Sequence, residues 1–210
     1  MLHKSSAANP IQLKILMNNV AYFAYGSLVN RYTRAPHTEA RPVRLAGWVR
    51  QWRHCIETPN GKVCALTVVP RADSELDGVL VVDHREALAE VDRREVGYRR
   101  EAISGVLPEA GIADNSVETY IYVSNSESLR WGSEEYPIWL SYLECALAGY
   151  IDVWERAGAE RFMSSTEGWQ TPVLDDRAAP KYPRAVALDK PTQEIIDGLL
   201  KEHEIRYIGS

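Results

Sequence analysis

The stretch Thr58-Pro-Asn-Gly61 lies between two runs of strand-forming residues, Val43–His54 and Val63–Val69. Asn60 and Gly61 both tolerate positive φ, so the four residues form a tight reversal and the flanking runs pair antiparallel. That hairpin excludes an all-helical chain and a strictly alternating parallel sheet. Further extended segments are expected at Val20–Tyr25, Val79–Asp83, Tyr98–Ile103 and Val117–Val123.

Helical patterns fall between these strands in blocks. A first helix is expected after Asp83, with Asp83 and Glu86 in capping-box spacing and a stop before Gly97. A second follows "YPIWLSYLECALAGYIDVWERAG", with Pro137 suited to its first turn and Gly158 at its end. Its apolar residues are too many for one face, so it is expected to be largely buried. Thr192 is the expected cap of a last amphipathic helix running to about Lys201. Between Thr171 and Pro191, four prolines argue for an extended arm over the body. The pattern defines an α+β fold, a mixed, largely antiparallel, barrel-like β-sheet with flanking α-helices. Residues 1–18 read as an N-terminal tail, 19–170 as one domain, and 171–210 as a proline-rich arm and C-terminal helix packing on it.

Composition narrows the function classes. With 210 residues, 45% of them hydrophobic, the chain can bury one full core. The net charge of −5 comes with basic residues scattered among acids, so no face is suited to nucleic acid. No apolar run approaches the roughly 18 residues of a membrane span, and no signal-peptide core is visible, so a cytoplasmic protein is expected. Cys55, Cys64 and Cys145 lack CxxC spacing and read as buried small apolar residues. The five histidines include no i, i+4 pair, and no GxGxxG, GxxxxGK[ST] or GxSxG is present. Neither a metal nor a cofactor is expected.

A few side chains remain as candidates. At about 100° per helical residue, the helix after Asp83 turns Leu88, Val91 and Glu95 to one sector and points Glu90, Arg93 and Arg94 away. A carboxylate facing a core needs a partner or a pocket, where desolvation raises its pKa toward the range of a general base. The plainer reading has Glu95, one residue from the helix end, fray outward or pair with Arg99 or Arg100, and pairs Asp92 with an arginine. Tyr142 lies one turn from Trp139 and Ala146, so its ring is expected to be buried and its hydroxyl needs a partner. His54 and His84 receive no role. The strand Val20–Tyr25 ends on Gly26-Ser27, a turn whose successive N–H groups could cradle a carboxylate or oxyanion, or serve as an ordinary turn. Ser27 has no base placed near it by sequence, which weakens a nucleophilic reading.

Three features in this order resemble the γ-glutamylcyclotransferase superfamily. They are Tyr25-Gly26-Ser27-Leu28 at the end of the first strand, a "GVL" strand followed by the helix end "DRREVGYRR" (92–100), and "SYLECALAG" (141–149). The resemblance covers about residues 20–158. It implies a cyclotransferase-like fold, a substrate-holding loop formed by Tyr25, Gly26, Ser27 and Leu28, an essential Glu95, and Tyr142 lining the pocket. It also implies a small-molecule γ-glutamyl partner cyclised to 5-oxoproline without a cofactor. Many members carry Asn where this chain has Leu28, and Leu there resembles the ChaC-type branch that acts on glutathione. The glycine- and asparagine-rich approach of that branch is missing between Tyr122 and Tyr142, so glutathione, γ-glutamyl amino acids and γ-glutamyl amines all stay open. A silent γ-glutamyl-binding module of the same fold is the alternative. So is an enzyme cyclising a biosynthetic γ-glutamyl intermediate. Oligomeric state is open, with a homodimer one arrangement.

Overall fold

The computed structural model describes residues 18–104, 106–108 and 117–209, with 106–108 described by backbone alone. Apart from Asn18, the expected N-terminal tail lies outside the described residues. The hairpin proves longer than the sequence pattern predicts. Strand β2 (Glu39–Thr58) and strand β3 (Gly61–His84) pair from Thr58↔Gly61 back to Glu39↔Val82. The expected separate strand at Val79–Asp83 is therefore the far end of β3. The reversal itself is Pro59-Asn60, and Gly61, at φ +120°, takes the positive φ beside it. Register shifts at Ala46/Trp48 and Trp52/His54 interrupt the ladder, the kind of irregularity that bends a strand.

Strand β1 (Asn19–Ala24) lies at the middle of the sheet, antiparallel to β3 on one side. Helix α1 (Leu88–Arg94) precedes β4 (Tyr98–Ala102), β5 (Val106–Pro108) and β6 (Thr119–Ser124). The sheet order is β4-β6-β1-β3-β2-β5, with β1 and β6 parallel. A short β8 (Thr166–Glu167) adds parallel to β2 as the seventh strand. The sheet is open, ending on β4 and β5, and not closed into the expected barrel. It carries a single core that includes Tyr22, Phe23, Leu45, Trp52 and Phe162.

Several helix ends differ from expectation. Asp83 stays in β3, where its carboxylate accepts from the His84 N–H at 2.7 Å and faces His37 Nε2 at 3.1 Å. It does not cap α1, which is entered through a 3-10 turn, Arg85–Ala87. Gly97, at φ +79°, does take the left-handed conformation expected after the helix. The second helix, α2 (Leu140–Ser165), follows the two-residue strand β7 (Ile138–Trp139), so Pro137 precedes a strand and not the first turn. Gly158 does not stop it. The helix breaks at Trp154-Glu155, with Glu155 at φ 56°, and continues past Gly158, where a Cβ would come within 2.5 Å of Trp154 Cβ.

The final helix, α3 (Lys190–Glu202), is capped by Asp189, which accepts from the Thr192 N–H at 2.8 Å. Asp189 thus takes the role expected of Thr192. Ile196, Leu199 and Leu200 of α3 join the core. The arm ahead of it is irregular, as its prolines imply, but it is fastened at both ends. Strand β9 (Val173–Leu174) lies between β7 and β10 (Tyr207–Ile208), parallel to both. Asp176, buried, accepts from the Ser141 N–H at 2.8 Å, the Ser141 hydroxyl at 2.6 Å and the Lys181 N–H at 2.8 Å. An arm carboxylate thereby caps the first turn of α2, where the helix dipole favours negative charge.

Beneath these elements lies Arg50, fully buried. Its guanidinium donates to Thr166 Oγ1 at 3.1 Å, the Asp77 carbonyl at 3.1 Å and the Tyr150 hydroxyl at 2.6 Å. It also lies over the Phe162 ring at 4.3 Å. The Tyr150 hydroxyl is within 3.2 Å of the Tyr25 carbonyl, so this contact ties the end of β1 to β2, β3, α2 and β8.

Asp176→Ala removes a charged cap and strands the Ser141 N–H. We expect a loss of about 3 kcal/mol in urea unfolding, with faster proteolysis at 181–184. A change within experimental error would refute the fastening role.

Candidate active site

The loop after β1 is seated by the helix it faces. A Cβ on Gly149 would come within 2.6 Å of the Asn30 amide nitrogen, so only a glycine lets α2 approach this closely. Asn30 is buried there, donating through Nδ2 to the Cys145 carbonyl at 2.9 Å and accepting from the Tyr32 N–H. The Thr33 hydroxyl faces the Ser27 and Asn30 carbonyls. These contacts hold two short 3-10 turns, Ser27–Val29 and Arg31–Thr33. The Val29 and Asn30 N–H groups bond back to Gly26 and Ser27, while no side chain caps the start of the first turn.

Glu95 arrives from the opposite side. Helix α1 ends at Arg94, and Glu95 has left helical geometry, at φ −87° and ψ 60°. Its side chain is only 16% exposed, with Oε1 3.1 Å from Arg94 Nε. Arg94, 12% exposed, also donates to the Thr33 carbonyl and, at 3.3 Å, to Ser27 Oγ. The helical wheel points Arg94 outward, whereas it is largely buried and pairs with Glu95. The wheel's placement of Glu95 on the apolar side matches its burial, and the plainer reading, fraying outward or pairing with Arg99 or Arg100, does not hold. Asp92 does pair with an arginine, Arg100, at 3.0 Å. Burial raises the Glu95 pKa above its usual 4.5, opposed by Arg94 and then Arg184.

Loop and carboxylate face one cavity of about 370 Å³, lined by Ser27, His54, Glu95, Tyr98, Tyr142 and Tyr182 among others. A smaller inner chamber of about 30 Å³ is bounded by Tyr25–Leu28, Glu95, Tyr98 and Tyr142. The structure thus brings together every candidate from the sequence: Tyr25, Gly26, Ser27, Leu28, Glu95 and Tyr142. Their side chains differ in what they offer. Tyr25 is spoken for, donating to the Tyr122 carbonyl at 2.6 Å, so its backbone is what the chamber meets. Tyr142 is buried as expected, edge-on to Trp52 and Tyr182. Its hydroxyl stands where a Cβ on Gly26 would come within 3.1 Å. Burial pushes its pKa up, so it stays a neutral hydrogen-bonding group.

Four lining residues were not legible as site residues. The Tyr182 hydroxyl donates to Ser27 Oγ at 2.9 Å, bringing the arm onto the loop. Arg184, also from the arm, lines the outer cavity. Tyr98 donates to the Leu66 carbonyl at 2.5 Å. His54, given no role from sequence, is fully buried and stacked on Tyr98 with ring centroids 3.7 Å apart. Its Nε2 lies 3.1 Å from the Val96 carbonyl and its Nδ1 2.9 Å from Ser124 Oγ. A carbonyl only accepts, so Nε2 carries the proton and His54 holds the residue that follows Glu95. The "GY" that closes the α1 motif was the signal that could have found Tyr98. Nothing local marked the other three.

Ser27 Oγ accepts from Arg94 and Tyr182 and has no histidine partner, so it lacks the base a nucleophile needs. Among the described residues, no three His, Cys, Asp or Glu side chains gather as metal ligands, and no helix is long and apolar enough to cross a membrane. Cys55, Cys64 and Cys145 are free and buried.

Neither a family model nor a curated protein matches the sequence. Solved structures do match the fold. A gamma-glutamyl cyclotransferase aligns over 86% of this chain and 99% of its own, at 16% identity and a TM-score of 0.57. A Homo sapiens protein described as uncharacterized, loc79017, gives the same coverage and identity with a TM-score of 0.54. YkqA from Bacillus subtilis aligns over 70% of this chain and 54% of its own, at 15% identity and a TM-score of 0.52. The chain has the γ-glutamyl cyclotransferase-like fold.

Burial pulls the His54 pKa down from 6.5 to about 4. The unfolded chain therefore binds a proton that the folded chain refuses between these values, and stability falls as pH falls through that window. We expect a loss on the order of 2 kcal/mol between pH 7 and pH 5 from this group. His54→Phe should flatten that slope in urea titrations, whatever its effect at pH 7; an unchanged slope would contradict the assignment.

Proposed function

We propose that the chain is a γ-glutamylcyclotransferase, releasing 5-oxoproline from a small γ-glutamyl compound. The observation that carries this reading is the cavity of about 370 Å³, where a poorly solvated carboxylate shares the lining with Ser27 of a turn whose leading amides no side chain caps. The α-carboxylate and γ-carbonyl oxygen of the substrate lie against the Gly26–Leu28 amides, which supply donors where negative charge sits or develops. Glu95, in its ionised form, takes a proton from the substrate's α-ammonium. The freed amine attacks its own γ-carbonyl carbon, forming the ring C–N bond. The attack is intramolecular, so orientation removes much of the barrier. Glu95 returns the proton to the departing nitrogen as the amide C–N bond breaks, and no bond to the enzyme forms. Tyr142 and Tyr98 wall the chamber and restrict water.

Glu95→Gln is expected to lower 5-oxoproline release by at least about 100-fold with an unchanged circular dichroism spectrum; wild-type turnover would sink the proposal. Tyr142→Phe should act mainly on KM, raising it about 3–10-fold. Calorimetric binding of γ-glutamyl ligands without any product by mass spectrometry would instead assign a silent binding module.

The pH profile supplies a separate check. The base acts when ionised, so kcat/KM rises with pH through the Glu95 pKa, and that limb should lie above 4.5. Arg94→Met withdraws a cation that favours the carboxylate and should move the limb to higher pH. A limb that moved down or stayed fixed would exclude Glu95 as the titrating base.

A further inference from the structure

Four charged side chains line the cavity: Glu57, Arg94, Glu95 and Arg184. Three have partners. Arg94 and Glu95 pair with each other, and Glu57 accepts from the Tyr136 hydroxyl at 3.1 Å with Lys62 Nζ at 3.5 Å. Arg184 makes no ion pair or hydrogen bond with any described residue.

Arg184 is nevertheless held in place by its backbone. Ala185 N–H bonds to the Tyr182 carbonyl at 3.0 Å, closing the turn Tyr182-Pro183-Arg184-Ala185 with proline at its second position. Tyr182 anchors that turn twice, by its hydroxyl to Ser27 Oγ and by its N–H to Ser141 Oγ at 3.2 Å. Next to it, Lys181 exchanges hydrogen bonds with Asn60, itself a lining residue, Asn60 Nδ2 donating to the Lys181 carbonyl at 2.8 Å. A fastened turn thus places Arg184, an exposed residue, on the cavity lining with no side-chain hydrogen bond or ion pair to a described residue.

Its position distinguishes the two halves of a γ-glutamyl compound. Ser27 and Glu95 line both the cavity and the small chamber, the rest of the Tyr25–Leu28 loop bounds only the chamber, and Arg184 lines only the cavity, near enough for its charge to act on Glu95. With its amine on Glu95 and its acyl oxygen toward the Gly26–Leu28 turn, the glutamyl half lies against Ser27 and Glu95, which leaves the departing half beside Glu57–Asn60, Pro183 and Arg184. We propose that Arg184 recognises a carboxylate on that departing half, so the preferred substrate is a γ-glutamyl amino acid or peptide and not a γ-glutamyl amine. This rests on the cyclotransferase reading above. A planar guanidinium suits a carboxylate, and an unpaired one selects against a departing group that carries a cation.

The test compares kcat/KM for γ-glutamyl-alanine, γ-glutamyl-alaninamide and the γ-glutamyl conjugate of a diamine, in wild type, Arg184→Gln and Arg184→Glu. Wild type should favour the acid, and Arg184→Gln should reduce the acid-to-amide ratio about 10–100-fold. Arg184→Glu should turn the preference toward the diamine conjugate. Product release with a ratio unmoved by either variant overturns the role of Arg184 and leaves the cyclotransferase reading standing. Wild-type protein that releases no 5-oxoproline from any of the three overturns both.

Discussion

The fold depends on a buried guanidinium that has no carboxylate partner among the described residues. Arg50 is held by a hydroxyl of β8, a carbonyl of β3 and the phenol of Tyr150 on α2, with Phe162 beneath it. Burial draws its pKa down, yet a guanidinium stays charged in a protein interior, so the charge must be met by dipoles and ring faces. Those groups come from three elements, β3, β8 and α2, with both rings on α2. Displacing any of these elements would leave the cation facing apolar atoms, which penalises other packings. Through Tyr150 the same cluster touches the Tyr25 carbonyl, and so the geometry of the core reaches the loop that opens the candidate site.

The site is assembled where three independent supports converge. Glycine-mediated packing on α2 sets the loop, the end of α1 delivers Glu95, and the arm lays Tyr182 on Ser27. Arg94 joins the first two supports by bonding both Ser27 and Thr33 while pairing with Glu95. His54 steadies the third neighbour of this group, the Val96 carbonyl, from β2. The role proposed for Glu95 requires such surroundings, since a solvated glutamate on a frayed helix end would neither raise its pKa nor keep its direction.

Much of this was legible in the residues, and the reasons differ by element. The hairpin at Pro59-Asn60-Gly61 is local chemistry, so its reversal was read correctly although β2 and β3 extend well beyond the expected runs. Glu95 was found by helical periodicity, and its burial matches that placement although the helix ends at Arg94. Asp83 and Thr192 carry the right chemistry for caps, and each lost that role to tertiary context or to a neighbour one turn away. Gly158 has the composition of a stop and is a packing glycine instead. The placements of Tyr182 and His54 depend on contacts across more than forty residues of sequence, which no local pattern records.

The clasp between Asp176 and the first turn of α2 makes one segment responsible for two distant parts of the molecule. The amide of Ser141 and the hydroxyl of Ser27 both find their partners in the arm, in Asp176 and Tyr182. Any local opening of residues 176–184 would therefore uncap the start of the long helix and unwall the cavity together, so the helix start and the site share one local stability.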